Sequence, residues 1–164
     1  MKPNTFLARA SGMSELAHAP EYEAKRAAGA IILAWDTKKI LIGQRGIMGD
    51  FPMVWGTIGG CLEEGEGPRT ACRREIMEET GYSDRMRLIP LMECSEPGKD
   101  FIYYNFLAIV PWEFEPVKDE ENNAFRWINF NEWPEPLHPG FEKLLNNKIS
   151  MTTVMKHVYA LHKE

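Results

Sequence analysis

Glu75, Glu78 and Glu79 stand at i, i+3 and i+4 in the run Arg74-Glu75-Ile76-Met77-Glu78-Glu79-Thr80-Gly81. At about 100° per residue they fall within roughly a 100° arc of one helical face. Like charges so spaced repel by a few tenths of a kcal/mol per pair, roughly, and a chain that accepts this usually gains something from it. Hard divalent cations want carboxylate and carbonyl oxygens, and Mg²⁺ binds through a few carboxylates together with substrate phosphates. An acidic run alone is ordinarily a solvated face. The frame around this one argues otherwise: a glycine pair, Gly59-Gly60, a Gly/Pro turn, and Arg74 directly ahead of the acids.

The element that must present these acids is a short helix. Gly67 can cap it, and Pro68 suits the first position, where no N–H is needed. Gly81 closes it as a left-handed residue. Cys72 and Ile76 lie beside the acidic arc and Met77 farther round, so one side can be buried while another presents acid.

Gly60, five residues, Glu66, seven residues, then Arg74-Glu75-Ile76-Met77-Glu78-Glu79-Thr80-Gly81-Tyr82 resembles the Nudix box of the Nudix hydrolase superfamily, whose members include the MutT-like nucleotide pyrophosphohydrolases. All fixed positions of the motif are met. Three softer positions depart from it: Tyr82 where an aliphatic residue is usual, Ile58 where a proline often precedes the glycines, and Gly67 where a Ser or Thr often caps the helix. None of these removes a carboxylate.

At 164 residues the chain is one domain of ordinary size, able to bury a core without staples. Its 44% hydrophobic and 26% charged residues are those of a soluble globular protein. Cys61, Cys72 and Cys94 form no even framework and no metal-ligand spacing, which points to reduced thiols in a cytoplasmic protein. No apolar run approaches the ~20 residues of a membrane span, and Arg9 interrupts the only candidate h-region. The net charge of −5 leaves no basic stripe for a nucleic-acid polymer. A small anionic partner remains compatible if metal ions supply the positive charge, which points to nucleotides.

In chain order, residues 1–25 read as an N-terminal extension, with a turn of helix around Ser14–His18, that could wrap the domain or help a homodimer. Residues 26–164 read as a single domain. Ala27–Trp35 suits a central strand, Asp36–Lys39 a turn, Ile40–Gln44 a second strand, and Gly46–Pro52 a glycine-bearing loop. Trp55–Ile58 is a short strand leading into Gly59-Gly60. After the acidic helix come a strand at Met86–Cys94, a Pro97-Gly98 turn, a strand at Phe101–Pro111, an acidic loop at Glu113–Asn123 and a strand at Ala124–Asn129. A short helix fits Asn131–Pro134, and helices fit Phe141–Asn147 and Thr153–His162, the latter with Val154, His157, Val158 and Leu161 as a core stripe. This order fits an α/β fold, the Nudix-type α/β/α sandwich around a mixed β-sheet that the resemblance implies.

The resemblance also implies chemistry: attack of water on a diphosphate linkage, with Mg²⁺, or Mn²⁺ in its place, as cofactor. Glu78 and Glu79 match the principal metal ligands, Glu75 a further ligand or the base for water, and the Gly60 carbonyl completes the shell. Arg74 fixes a carboxylate by a bidentate pair, with Glu66 the family's partner. Glu63 and Glu64 read as a solvated turn. An additional acid outside the box is expected among Asp119, Glu120 and Glu121, with Glu120 or Glu121 preferred. Arg45 could meet a phosphate and Phe51 could stack on a base. His138 could sit near the site but reads first as a structural loop residue.

The box identifies the bond and not the molecule. The favoured substrate is a nucleoside triphosphate, cleaved to a monophosphate and pyrophosphate. The alternative is ADP-ribose or another nucleoside-diphosphate sugar, suggested by Pro97 fifteen residues beyond Tyr82. A non-catalytic nucleotide-binding module stands behind both.

Overall fold

The computed structural model describes residues 24–160. Its spine is β1 (Lys25–Ala34). From Ala27 to Ala34 every residue of this strand is buried, as expected for a strand covered on both faces. It runs parallel to β6 (Phe101–Val110) over its whole length, from Lys25 beside Phe101 to Ala34 beside Val110. Its other edge is shared by two antiparallel partners: β2 (Ile40–Arg45) beside Ile32 and Leu33, and β4 (Ile58–Cys61) beside Ala27–Ala30. Behind these lie β3 (Trp55–Gly56) and β7 (Asn122–Ile128) on β2, and β5 (Arg87–Ser95) on β6.

Alternation along β1 assigns the two faces. Ala28, Ala30 and Ile32 turn toward α1 (Pro68–Thr80), where they meet Ile58, Ala71, Cys72, Ile76 and Phe106. Ile31 and Leu33 turn toward α2 (Pro139–Leu145) and α3 (Lys148–Val158), packing with Ile42, Trp55, Leu107, Phe141, Leu144 and Val154. The result is a mixed sheet between helical layers. Among the described residues no helix is long and apolar enough to cross a membrane.

Several boundaries differ from the sequence expectation. Trp55–Ile58 is not one strand but two pieces with different partners: Trp55–Gly56 pairs with β2, and Ile58–Cys61 pairs with β1. The glycine pair therefore lies inside β4. A Cβ on Gly59 would collide with the Ala28 carbonyl and the Gly29 Cα, so this tight apposition of strands requires glycine on both. The expected helix at 131–134 is a turn. Asn131 takes a left-handed φ of 71°, and Trp133 instead packs edge-on against Phe130 and Phe141. The last helix starts at Lys148, earlier than expected, because the Asn147 side chain caps it by accepting the Ser150 N–H at 2.9 Å. Val154 and Val158 are buried as a stripe; Leu161 and the Ser14–His18 segment lie outside the described residues.

α1 ends as its punctuation dictates. Gly67 precedes Pro68 without a side-chain cap, and Gly81 adopts φ 76° while its N–H returns to the Met77 carbonyl at 2.8 Å.

The glycine seam also holds a tyrosine. A Cβ on Gly29 would collide with Tyr103 Oη and lie 2.7 Å from the Ile58 carbonyl. Gly29→Ala is therefore expected to destabilise the fold by about 1–3 kcal/mol, the usual range for overpacking. Urea unfolding followed by circular dichroism checks this; an unchanged midpoint would show that the seam has slack.

Candidate active site

The site forms where β4 and β2 part company along β1. α1 lies over this split and aims its acids at the Gly59-Gly60 backbone. Its organiser is Arg74. Nε and Nη2 donate to the two oxygens of Glu66 at 3.0 and 2.9 Å, a bidentate fork. Nη2 also reaches the Cys61 carbonyl at 2.9 Å, tying the helix to β4. Nη1 is shared between Glu75 Oε1 at 2.8 Å and Glu78 Oε2 at 3.0 Å. Glu63 lies 3.8 Å from Nε at the rim, its side chain 70% exposed.

Glu66 earns no contact with the acid face itself; it anchors the arginine. It also accepts the Glu63 N–H at 3.0 Å, closing the turn before α1. Arg74, then the Glu63 N–H, hold its carboxyl below the ordinary carboxylate value.

Glu75 and Glu79 are buried, whereas Glu78 is half exposed at its side chain. Glu79 accepts the Gly59 N–H at 3.2 Å and the Asn122 side-chain amide at 2.8 Å. Both donors are neutral. Burial, followed by the charges of Glu75, Asp119 and Glu121, pushes the Glu79 carboxyl up to about 8, with the Asn122 bond opposing. Burial also raises Glu75, against the pull of Arg74. Gly60 is pressed onto this group: a Cβ there would sit 2.6 Å from the Glu75 carboxylate carbon. Only glycine lets the backbone approach so closely.

The acidic loop before β7 reaches the same place. Asp119 is consumed locally: its Oδ1 accepts the N–H groups of Glu121 and Asn122 at 3.1 and 2.9 Å, and the Asn122 amide at 3.3 Å. Glu120 and Glu121 are exposed and line the cleft, and the charge of Glu121 bears on both Glu75 and Glu79.

Glu75, Glu78, Glu79, Glu120, Glu121 and Asn122 face one cleft of about 990 Å³, with Arg74, Glu66 and Asp119 outside its lining. Arg45, at the end of β2, and Phe51, in the following loop, line one wall with Ile47, Met48 and His138. Tyr103 and Thr57, whose hydroxyls lie 3.2 Å apart, form part of the floor. At the far end stand Lys25, Lys99 and Phe101. Sequence reasoning missed Asn122, Tyr103 and Thr57, because their place depends on strand register. His138, expected as a loop residue, caps α2 and lines the cleft as well.

Among the described residues, no three carboxylate, His or Cys side chains converge tightly enough to grip an ion as they stand; the Arg74 Nη1 sits between Glu75 and Glu78 instead. The donor set nevertheless fits a hard divalent cation. It is all oxygen, it is crowded with acid at the cost of raised carboxyl pKa values, and Gly60 brings its backbone against Glu75.

A mixed sheet between helices, with an acidic helix laid across a glycine-glycine strand, defines the Nudix class. The family model described as NUDIX domain matches residues 24–147, and the chain belongs to that family. The dihydroneopterin triphosphate diphosphatase of Escherichia coli (strain K12) is 36% identical over 64 residues, which cover 39% of this chain and 41% of that protein. The chain thus matches about two fifths of the length of this curated relative. Among solved structures, a MutT NUDIX hydrolase from Burkholderia pseudomallei superposes with TM-score 0.60 at 26% identity, covering 74% of this chain and 95% of that one. RenU, a Nudix hydrolase from M. smegmatis, gives TM-score 0.68 at 21% identity over 85% of this chain and 91% of its own, a likeness of fold.

The Arg74–Glu66 fork makes a pH prediction. A carboxyl held below its ordinary value in the folded state contributes stability above that value and loses it on protonation. The difference in urea midpoint between the wild type and Glu66→Gln should therefore be full above about pH 5. It should close as pH falls through the ordinary value of 4.5 and below. A difference that does not change with pH would mean the fork carries no ionic stabilisation.

Proposed function

We propose that this protein is a divalent-metal-dependent pyrophosphohydrolase that cleaves the diphosphate linkage of a nucleotide by water attack, its preferred substrate a nucleoside triphosphate giving monophosphate and pyrophosphate. The observation that carries this reading is the packing of Glu75 and Glu79 against the Gly59-Gly60 backbone. It is an acidic centre that no described lysine or arginine neutralises at Glu79.

In this reading Glu78, Glu79, Glu75 and the Gly60 carbonyl hold Mg²⁺, or Mn²⁺ in its place. The ion supplies neutralisation of phosphate charge and acidification of water. Phosphoryl transfer leaves a protein chiefly positioning and electrostatics to provide. Arg74 is a positioning residue: it sets the angles of Glu75 and Glu78 while anchored on Glu66. Glu75, or one of Glu120 and Glu121 across the cleft, takes the proton from the attacking water. Arg45 meets a phosphate, and Phe51 offers an apolar ring face to the base.

A second reading, a nucleoside-diphosphate sugar as substrate, is favoured by the cleft's far end. Lys99 and Phe101 line the cleft there, just past the Pro97-Gly98 turn, and offer a cation and a ring to a second organic group. The partial likeness to a dihydroneopterin triphosphate diphosphatase adds a pterin triphosphate to the substrates worth trying.

Product analysis with Mg²⁺ on nucleoside triphosphates, dihydroneopterin triphosphate and ADP-ribose tests the reading. Pyrophosphate with a monophosphate supports the first; AMP with ribose 5-phosphate supports the second. Removing one metal-holding carboxylate forfeits several kcal/mol of charge stabilisation, so Glu78→Gln should lower turnover by about a hundredfold or more. A folded wild-type protein that turns over none of these compounds would leave a binding module in place of the enzyme.

A further inference from the structure

One wall of the cleft carries a group the chemistry does not use. The His138 side chain is half-buried, and its backbone is fixed from both sides. Its N–H donates to the Trp55 carbonyl at 2.8 Å, and its own carbonyl accepts from Glu142 at 3.0 Å and from Phe141 at 2.9 Å. Its Nδ1 accepts the Gly140 N–H at 3.0 Å, capping α2. That bond decides the tautomer. A neutral imidazole that accepts at Nδ1 must carry its proton on Nε2.

The ring is kept neutral by burial first and by the nearby Arg45 charge second, both of which disfavour its protonated form. No described residue hydrogen-bonds Nε2. His138 lines the cleft, and its ring meets Phe51 edge-on, centroids 5.0 Å apart and planes at 71°. The corner therefore combines an apolar ring face with one hydrogen-bond donor that has no acceptor function. Ile47 and Met48, both largely exposed, extend the apolar side of the same wall.

We infer that His138 is a specificity-determining residue, selecting a substrate whose ring edge carries a carbonyl oxygen over one that carries an amino group there. The inference rests on the nucleotide-hydrolase reading above and deepens it. An amino group facing Nε2–H sets donor against donor and leaves both unpaired when the ring is taken out of water, whereas a ring carbonyl satisfies the histidine. Because the cap on Gly140 locks the tautomer, the ring cannot turn acceptor to suit the other class.

The test is kcat/KM with Mg²⁺ for two matched pairs, inosine against adenosine triphosphate and uridine against cytidine triphosphate. The wild type should favour the oxo member of whichever pair it hydrolyses by about ten- to a hundredfold, the scale of one buried donor left unpaired. His138→Asn retains a capping oxygen for the Gly140 N–H, but its amide stops short of where Nε2 reaches. It should bring the ratio toward one, through KM for the oxo member. His138→Asp, which caps as well and is no longer than asparagine, should bring the ratio to the same place. Thermal unfolding on the same samples reports whether the cap survives.

An oxo preference absent from the wild type would overturn the inference. So would His138→Asn lowering both members of a pair by the same factor, since that is what a purely structural histidine would do. Hydrolysis of nucleotides with a ratio indifferent to His138 removes this inference alone. No hydrolysis of any triphosphate removes the functional reading and this inference with it.

Discussion

Burying Glu75 and Glu79 on one helix face is the constraint from which the rest of the site follows. An ionised carboxylate out of water is costly by several kcal/mol, roughly, unless paired. The chain meets this cost unequally at the two positions. Glu75 shares the Arg74 guanidinium, which is itself anchored on Glu66 and the Cys61 carbonyl. Glu79 receives only a backbone N–H and an amide, and burial leaves its carboxyl near 8. The asymmetry divides the acid face into a half that a guanidinium of the chain neutralises and a half held only by neutral donors.

That arrangement reaches into the fold through the backbone. For Gly59 to donate to Glu79, and for Gly60 to lie against Glu75, β4 must run directly beneath α1 and close against β1. The closeness of β4 and β1 requires glycine at both 29 and 59, and Tyr103 from β6 fills the space that side chains there would have taken. Asn122, the first residue of β7, binds Glu79 from the other side of the split and is held in turn by Asp119. Four strands and one helix thus meet at two carboxylates. Gly59 serves both the strand packing and the hydrogen bond to Glu79.

What could be read from the sequence follows from which of these relations are local. Pro68 and Gly81 bound α1 by rules that involve only the backbone, and the acidic arc follows from the helical period. β1 declared itself by an apolar run buried on both faces. The Arg74–Glu66 pairing spans eight residues and is implied by the resemblance to the Nudix box. By contrast, nothing near Asn122 distinguishes it from its neighbour Asn123; its contact depends on β7 pairing with β2 so that it falls beside Arg45. Tyr103 needs the parallel register with β1 that sets it beside Ala27. The mistaken helix at 131–134 has a similar origin: its residues suit a turn of helix locally, but Trp133 is claimed by Phe130 and Phe141. His138 was half legible, since a residue before a proline that opens a helix is a cap position, whereas its exposure to the cleft depends on the bridge between Trp55 and Leu137.

The same division separates the acid face from the wall beside it. The acids ride on regular structure, where geometry is fixed by period and register. The wall that would meet a base is built from a loop, with Phe51 and Met53 at positive φ, 51° and 61°. Left-handed non-glycine residues are strained by roughly 1–3 kcal/mol each and persist only where neighbours over-determine them. Here the neighbours do: Met53 donates its N–H to the Arg45 carbonyl at 3.2 Å, its own carbonyl accepts from the Gln44 amide at 3.1 Å, and Arg45 donates to the Val54 carbonyl at 2.9 Å. The loop that shows Phe51 to the cleft is therefore held from its base, beside a histidine fixed by four hydrogen bonds of its own. A wall so braced offers one set of donors and apolar faces to any entering ring. Selection then falls to the ring's own pattern of oxo and amino groups, because the protein has little freedom to adjust its side.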